Sequence, residues 1–225
     1  MNKNTKEKLC EFLFTFLTEE RKTLFENVLR YRTRHLTVVL ENIFQPHNAS
    51  AVMRSCDLTG VQDVHIIEKN NKYVENPQVA MGSTKWLNII KYNEEENNTL
   101  TAINNLKSQG YKIIATTPHQ NSNSPFDLPL EDKTALIFGT ELTGLSQEAL
   151  NVADDYMRLP QYGFTESYNI SVSVALSLFT LVERLHNSNI SWQLSPNEIL
   201  DIKLEWAKRT IKRSDLIIEE FLKNL

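Results

Sequence analysis

Glycine is scarce in this chain, with 6 in 225 residues, and cysteine is scarcer still, with 2. Cys10 and Cys56 cannot build a disulfide framework, and neither stands in zinc-ligand spacing with a histidine. That excludes a disulfide-stapled secreted module and points to a reducing compartment, the cytosol. No G-x-G-x-x-G follows the first candidate strand and no G-x-x-x-x-G-K-[ST] occurs, which argues against dinucleotide and P-loop chemistry. Long hydrophobic runs are missing as well. The most apolar stretch, residues 170–185, is interrupted by Ser171, Ser173, Ser177, Thr180, Glu183 and Arg184, so it reads as a buried helix and not as a membrane span. The first residues show no signal-peptide pattern.

What is present suits an ordinary globular core: 41% hydrophobic and 23% charged residues, with a formal net charge of −4. The charge is uneven. Residues 41–195 hold 17 acidic against 10 basic side chains, whereas residues 1–40 hold 8 basic against 5 acidic. Basic groups cluster toward the two ends, as Arg30, Arg32, Arg34 and His35, and as Lys203, Lys208, Arg209, Lys212 and Arg213. Over residues 196–225 one helical face carries Leu200, Leu204, Ala207, Ile211 and Ile218, which leaves Lys208, Arg209, Lys212 and Arg213 facing outward. Such a surface suits a phosphate backbone, and a solvated helix face is the plain alternative.

Residues 5–30 read as helix with a restart at Thr18, where Glu19 and Glu20 favour a fresh N-terminus. Short apolar runs follow at 36–40, 64–67, 87–90, 111–116, 135–138 and 156–159. They alternate with helical stretches at 48–59, 97–109, 146–153 and 169–187. This alternation predicts an α/β fold, a mostly parallel sheet with helices on both faces. Residues 118–132, with three prolines, read as a loop, and 188–196 as a turn-rich break. The chain therefore divides into a helical arm (1–35), a central domain (36–190) and a basic C-terminal helix (191–225).

Three patches carry the chemistry, each running from a strand through a loop into a helix start. The first spans 41–57 and holds Glu41, Pro46, His47, Asn48 and Arg54, with Asn48 placed to cap the following helix. In the second, 135–146, Gly139 and Gly144 flank Glu141, and Ser146 is placed as a cap. The third, 159–175, holds Leu159, Gly163, Ser167, Tyr168 and Asn169. Ligand crevices in parallel sheets lie beyond the strands' carboxyl ends, where all three patches fall. Each patch has a structural reading as an ordinary capped loop.

Taken together and in order, the three resemble the motifs of the SpoU (TrmH) family of RNA ribose 2′-O-methyltransferases, in the knotted SPOUT superfamily, over roughly residues 36–187. The run from Pro46 to Arg54 is most similar to the first motif of those members that act on guanosine 18 of tRNA. The resemblance implies a deep trefoil knot at the C-terminal end of the sheet, S-adenosylmethionine held within it, and a homodimer packed through the knot region. It implies cofactor contacts at Thr116, Gly139, Leu159 and Tyr168, catalytic polar groups at Asn48, Arg54, Glu141, Ser167 and Asn169, and no metal. The helical extensions would hold tRNA through Arg30, Arg32, Arg34, Lys208, Arg209, Lys212 and Arg213, in the cytoplasm and without a membrane. Two alternatives stay open: a relative acting on ribosomal RNA, and a non-catalytic knotted RNA-binding protein, the latter suggested by Leu142 and Tyr168. A nicotinamide oxidoreductase is disfavoured by the missing fingerprint.

Overall fold

Six consecutive buried residues, Leu36–Glu41, form β1, and burial on both faces is what a central strand of a parallel sheet requires. The computed structural model describes residues 1–118 and 122–224, and they fall into two compact units, residues 33–192 and residues 1–32 with 193–225. In the larger unit β1 is joined by β2 (Asp63–Ile67), β3 (Asn88–Tyr92), β4 (Tyr111–Thr116), β5 (Lys133–Phe138) and β6 (Asp155–Met157). The order across the sheet is β3-β2-β1-β5-β4-β6, and every pairing is parallel, so all strands end on one side.

Period-two alternation sorts the sheet's side chains between two layers of helix. Leu36, Val38 and Leu40 face a cluster with Val52, Met53 and Cys56 of α3 (Pro46–Leu58) and Val174, Leu178 and Leu181 of α7 (Ile170–His186). Val39, Ala135 and Ile137 face Ala102, Ile103 and Leu106 of α5 (Asn98–Ser108). Two short elements escape the sequence pattern, α4 (Pro77–Ala80) and a single 3₁₀ turn, Ser83–Lys85. The shortest helix on the path to the site is α6 (Gln147–Val152), capped by Ser146, whose hydroxyl accepts from the Ala149 amide at 3.2 Å.

Asn48 is not the cap of α3. Gln45 holds that position, and Pro46 starts the helix with a φ already helical and no amide to leave unpaired. Asn48 falls inside the first turn, buried, and its side chain is free to bond elsewhere. The loop expected over 118–132 is irregular where described, and its positions 119–121 lie outside the described residues. Within that loop Asn123 runs along β6: its amide donates to the Tyr156 carbonyl (3.1 Å) and its carbonyl accepts from the Arg158 amide (2.9 Å). β6 is thus bonded to β4 on one side and to the β4–β5 connection on the other.

The smaller unit joins the chain's two ends. It contains α1 (Lys3–Phe14), α2 (Glu19–Leu29), α8 (Pro196–Thr210) and α9 (Ser214–Lys223). Thr18 caps α2 through the Arg21 amide, as its position predicts. Lys6 of α1 reaches Asp201 of α8 at 2.5 Å, and Phe25 packs edge-on to Trp206. The expected single terminal helix is two: Ile211 is extended, Arg213 takes a left-handed φ of 57°, and the Ser214 hydroxyl closes the corner onto the Lys208 carbonyl. The buried face of α8 is Ile202, Leu204, Trp206 and Ala207, of which the apolar face expected from the sequence holds only Leu204 and Ala207.

Arg32 corrects the sequence reading. It is 1% exposed, with its guanidinium carbon 5.3 Å from the centre of the Trp206 ring, and it presents no cation to a phosphate. Arg34, in the larger unit, is half-buried and paired with Asp63 at 2.9 Å. Arg30, Arg209, Lys212 and Arg213 are exposed, and Lys208 is paired with Glu205 at 2.7 Å.

Candidate active site

The carboxyl ends of β4, β5 and β6 open onto a cavity of about 310 Å³, within the range of small-molecule sites. Its wall is made by the loop after β5, the loop between β6 and α7, and the first two turns of α7. The four residues expected at the cofactor, Thr116, Gly139, Leu159 and Tyr168, all line it, and so do Glu141 and Ser167. The Thr116 side chain is spent inside the sheet, donating to the Ile137 carbonyl at 2.7 Å.

The loop after β5 is a tight return. Thr140 and Gly144 exchange backbone hydrogen bonds at 3.1 and 3.0 Å, and Gly144 takes a left-handed φ of 67°. Gly139 is required by proximity: a Cβ there would sit 2.2 Å from the carbonyl carbon and oxygen of Gly144. The backbone thus closes on itself at the cavity wall with no side chain between. Across the cavity the Tyr168 hydroxyl donates to the Pro160 carbonyl at 3.3 Å, fastening its ring to its own loop. Tyr162 and Phe164, on the same loop, are fully exposed.

Asn48 joins the three patches. Its amide nitrogen donates to Gln45 Oε1 at 3.0 Å and to Glu141 Oε1, and its oxygen accepts from Asn169 Nδ2 at 3.2 Å. Asn169 in turn caps α7, its Oδ1 accepting from the Ser171 amide at 2.9 Å and the Ser171 hydroxyl at 2.7 Å. A neutral amide suits the middle of this chain because it can donate to a carboxylate and accept from a second amide at once. Arg54 does not join the cluster. It lies six residues further along α3, exposed, and outside the set of described residues that line the cavity. Six residues turn a helix by about 240° and advance it about 9 Å.

Sequence reasoning assigned no role to Glu41, although it heads the first patch. Its buried carboxylate accepts from the Ser146 amide (2.8 Å), the Ser146 hydroxyl (2.6 Å) and the Thr99 hydroxyl (2.7 Å). It therefore holds the far end of the cavity loop to the end of β1. A carboxylate that continues an otherwise apolar central strand was the available signal, since buried charge is kept only where it is bonded. Gln45 and Arg158 were also passed over, and Arg158 lines the cavity. Among the described residues no cluster of histidine, cysteine, aspartate or glutamate could hold a metal ion, and no helix is long and apolar enough to cross a membrane.

Comparison with known proteins matches residues 35–179 to the SpoU rRNA Methylase family. The chain is 45% identical over 205 residues to the tRNA (guanosine(18)-2'-O)-methyltransferase of Borreliella burgdorferi, which covers 91% of this chain and 92% of that one. It is 35% identical over 162 residues to the enzyme of the same name from Thermus thermophilus, covering 72% of this chain and 81% of that one. Among solved structures, the A. aeolicus TrmH/SpoU tRNA modifying enzyme superposes with a TM-score of 0.75 at 30% identity, over 86% of this chain and 98% of that chain.

Proposed function

This chain belongs to the SpoU methylase family, and from that premise we propose that it transfers a methyl group from S-adenosylmethionine to the ribose 2′-hydroxyl of guanosine 18 in tRNA. The observation that carries the reading is the junction at Asn48, which ties Glu141 and Asn169 together beside a cavity lined by Thr116, Gly139, Leu159 and Tyr168. The near full-length match to a guanosine-18 enzyme favours tRNA over ribosomal RNA as substrate.

The residues present fit such a cofactor. The closed Gly139–Gly144 return offers bare backbone to a heterocycle, and the cavity is of small-molecule size. When bound, the cofactor supplies an electrophilic methyl on a sulfonium. The protein's task is alignment of the ribose hydroxyl and removal of its proton. Glu141, oriented by Asn48, and Asn169 position the ribose at the cavity edge, and Ser167 shapes the wall between ribose and cofactor. Arg54 binds the adjacent RNA phosphate bidentately and orients the hydroxyl, and that phosphate takes up the hydroxyl proton, because a guanidinium stays protonated and is better suited to hold an anion than to accept a proton.

Hydrogen bonding of β6 to β4 on one edge and to Asn123 on the other supports a connection that encircles the later strand, the arrangement of a trefoil knot. Val172, Leu176 and Phe179, exposed along one side of α7 at spacings of four and three, support a homodimer that covers them. Arg30, Arg209, Lys212 and Arg213 supply cations for the tRNA backbone, with Lys208 beside them, while Arg32 is withdrawn from that surface. The enzyme acts in the cytoplasm, where its substrate is.

Incubation of unmodified tRNA transcripts with the protein and S-adenosylmethionine, followed by mass spectrometry of the nucleosides, tests this. The expected product is 2′-O-methylguanosine mapping to position 18; methylation elsewhere, or none, rejects it. Arg54→Ala is expected to retain cofactor binding and abolish transfer, and near-normal turnover in that variant removes Arg54 from the mechanism.

A further inference from the structure

We propose that Arg158 binds the carboxylate at the methionine end of S-adenosylmethionine, an inference that rests on the methyl-donor reading of the cavity. The ligand carries two positive groups, a sulfonium and an ammonium, and one negative group, the carboxylate. The cavity wall contains two side-chain carboxylates, Glu141 and Glu166, and a single cationic side chain among the described residues, Arg158. The two carboxylates complement the cationic groups of the ligand. They repel its carboxylate, which needs a cation of its own to enter such a wall.

Arg158 is built to supply one. It follows Met157, the last residue of β6, and because successive side chains of an extended chain point to opposite sides, Met157 is buried while Arg158 is exposed. Its amide is held by the Asn123 carbonyl at 2.9 Å, so the root of the side chain is fixed at the cavity wall. Among the described residues its guanidinium has no hydrogen bond or ion pair. Two other cations of the same unit are committed: Arg184 donates to the Pro125 and Leu128 carbonyls at 2.6 and 2.8 Å, and Lys107 pairs with Asp154 at 2.7 Å. A planar guanidinium matches a carboxylate with two parallel hydrogen bonds, which a lysine does not.

The test compares two ligands by calorimetric titration of the full-length protein. S-Adenosylhomocysteine has the amino-acid tail, and 5′-methylthioadenosine keeps the nucleoside and the sulfur but lacks the tail. Arg158→Ala is expected to weaken S-adenosylhomocysteine by at least about tenfold, the scale of a lost charge-assisted hydrogen bond, and to leave 5′-methylthioadenosine unchanged, which also shows that the pocket is intact. Arg158→Lys should recover part of the loss. Equal losses for both ligands, or no loss for either, overturn the proposal; so does unchanged S-adenosylhomocysteine binding with weakened tRNA retention on filters, which assigns Arg158 to the RNA backbone. If the wild-type protein binds neither ligand, the methyl-donor reading itself falls.

Discussion

Asn48 illustrates how one side chain can hold a site together: both amide hydrogens and the carbonyl oxygen have partners from three separate stretches of chain. Asn48→Ala leaves Glu141 and Asn169 without their link but removes nothing from the cavity wall. The expected result is a roughly 100-fold fall in single-turnover methyl transfer, the scale of a small misplacement of reacting groups, with S-adenosylhomocysteine affinity retained. Asn48→Asp should be no better, because it sets a second carboxylate against Glu141. Gly139→Ala is the opposite case. With a Cβ placed 2.2 Å from the Gly144 carbonyl, the return after β5 cannot close. Titration should find nucleoside binding lost in this variant while the circular dichroism of the helices is preserved.

At the scale of elements, the smaller unit separates a cation that builds structure from cations available to RNA. Arg32, sealed over Trp206, should behave as a core residue: Arg32→Ala is expected to cost about 2 kcal/mol, the scale of a desolvated cation–π contact, and to lower the thermal midpoint. The exposed cations should behave differently. Replacing Arg30 and Lys212 with alanine should leave the melting curve in place and reduce the slope of log affinity for tRNA against log salt by about one per lost phosphate contact. A flat salt response in the wild type would remove these helices from the RNA surface. Such a division was not legible in a string of arginines, since Arg30, Arg32 and Arg34 differ only in how the turn after α2 aims them.

For the molecule as a whole, His65 sets a pH limit. It lies in β2, 4% exposed, with its ring stacked on Tyr92 and its Nδ1 3.0 Å from the tyrosine oxygen. Burial lowers its pKa from 6.5 to about 4, opposed in part by Asp63. The folded chain therefore keeps the imidazole neutral while the unfolded chain takes up a proton between those values. Its contribution is complete above pH 6.5 and is lost as pH falls toward 4, by up to about 3 kcal/mol. Urea unfolding at pH 7 and pH 4.5 should show the fall, and His65→Gln should flatten it.

Local pattern alone determined much of this protein. Apolar runs and their alternation with helical periods place all six strands to within two residues at most of their ends, and Thr18 and Ser146 announce helix starts because a cap bonds only its own first turn. The motif order also brought out residues that line the cavity. Only the tertiary structure decided how they meet. Asn48 finds Glu141 and Asn169 at separations of 93 and 121 residues, which follows from a strand order that places β1 beside β5 and no single stretch of sequence contains. The same holds for Glu41 at Ser146, for Arg32 at Trp206 and for Arg158 at the cavity wall: periodicity says which side of an element a residue takes, and packing between distant elements says what waits there.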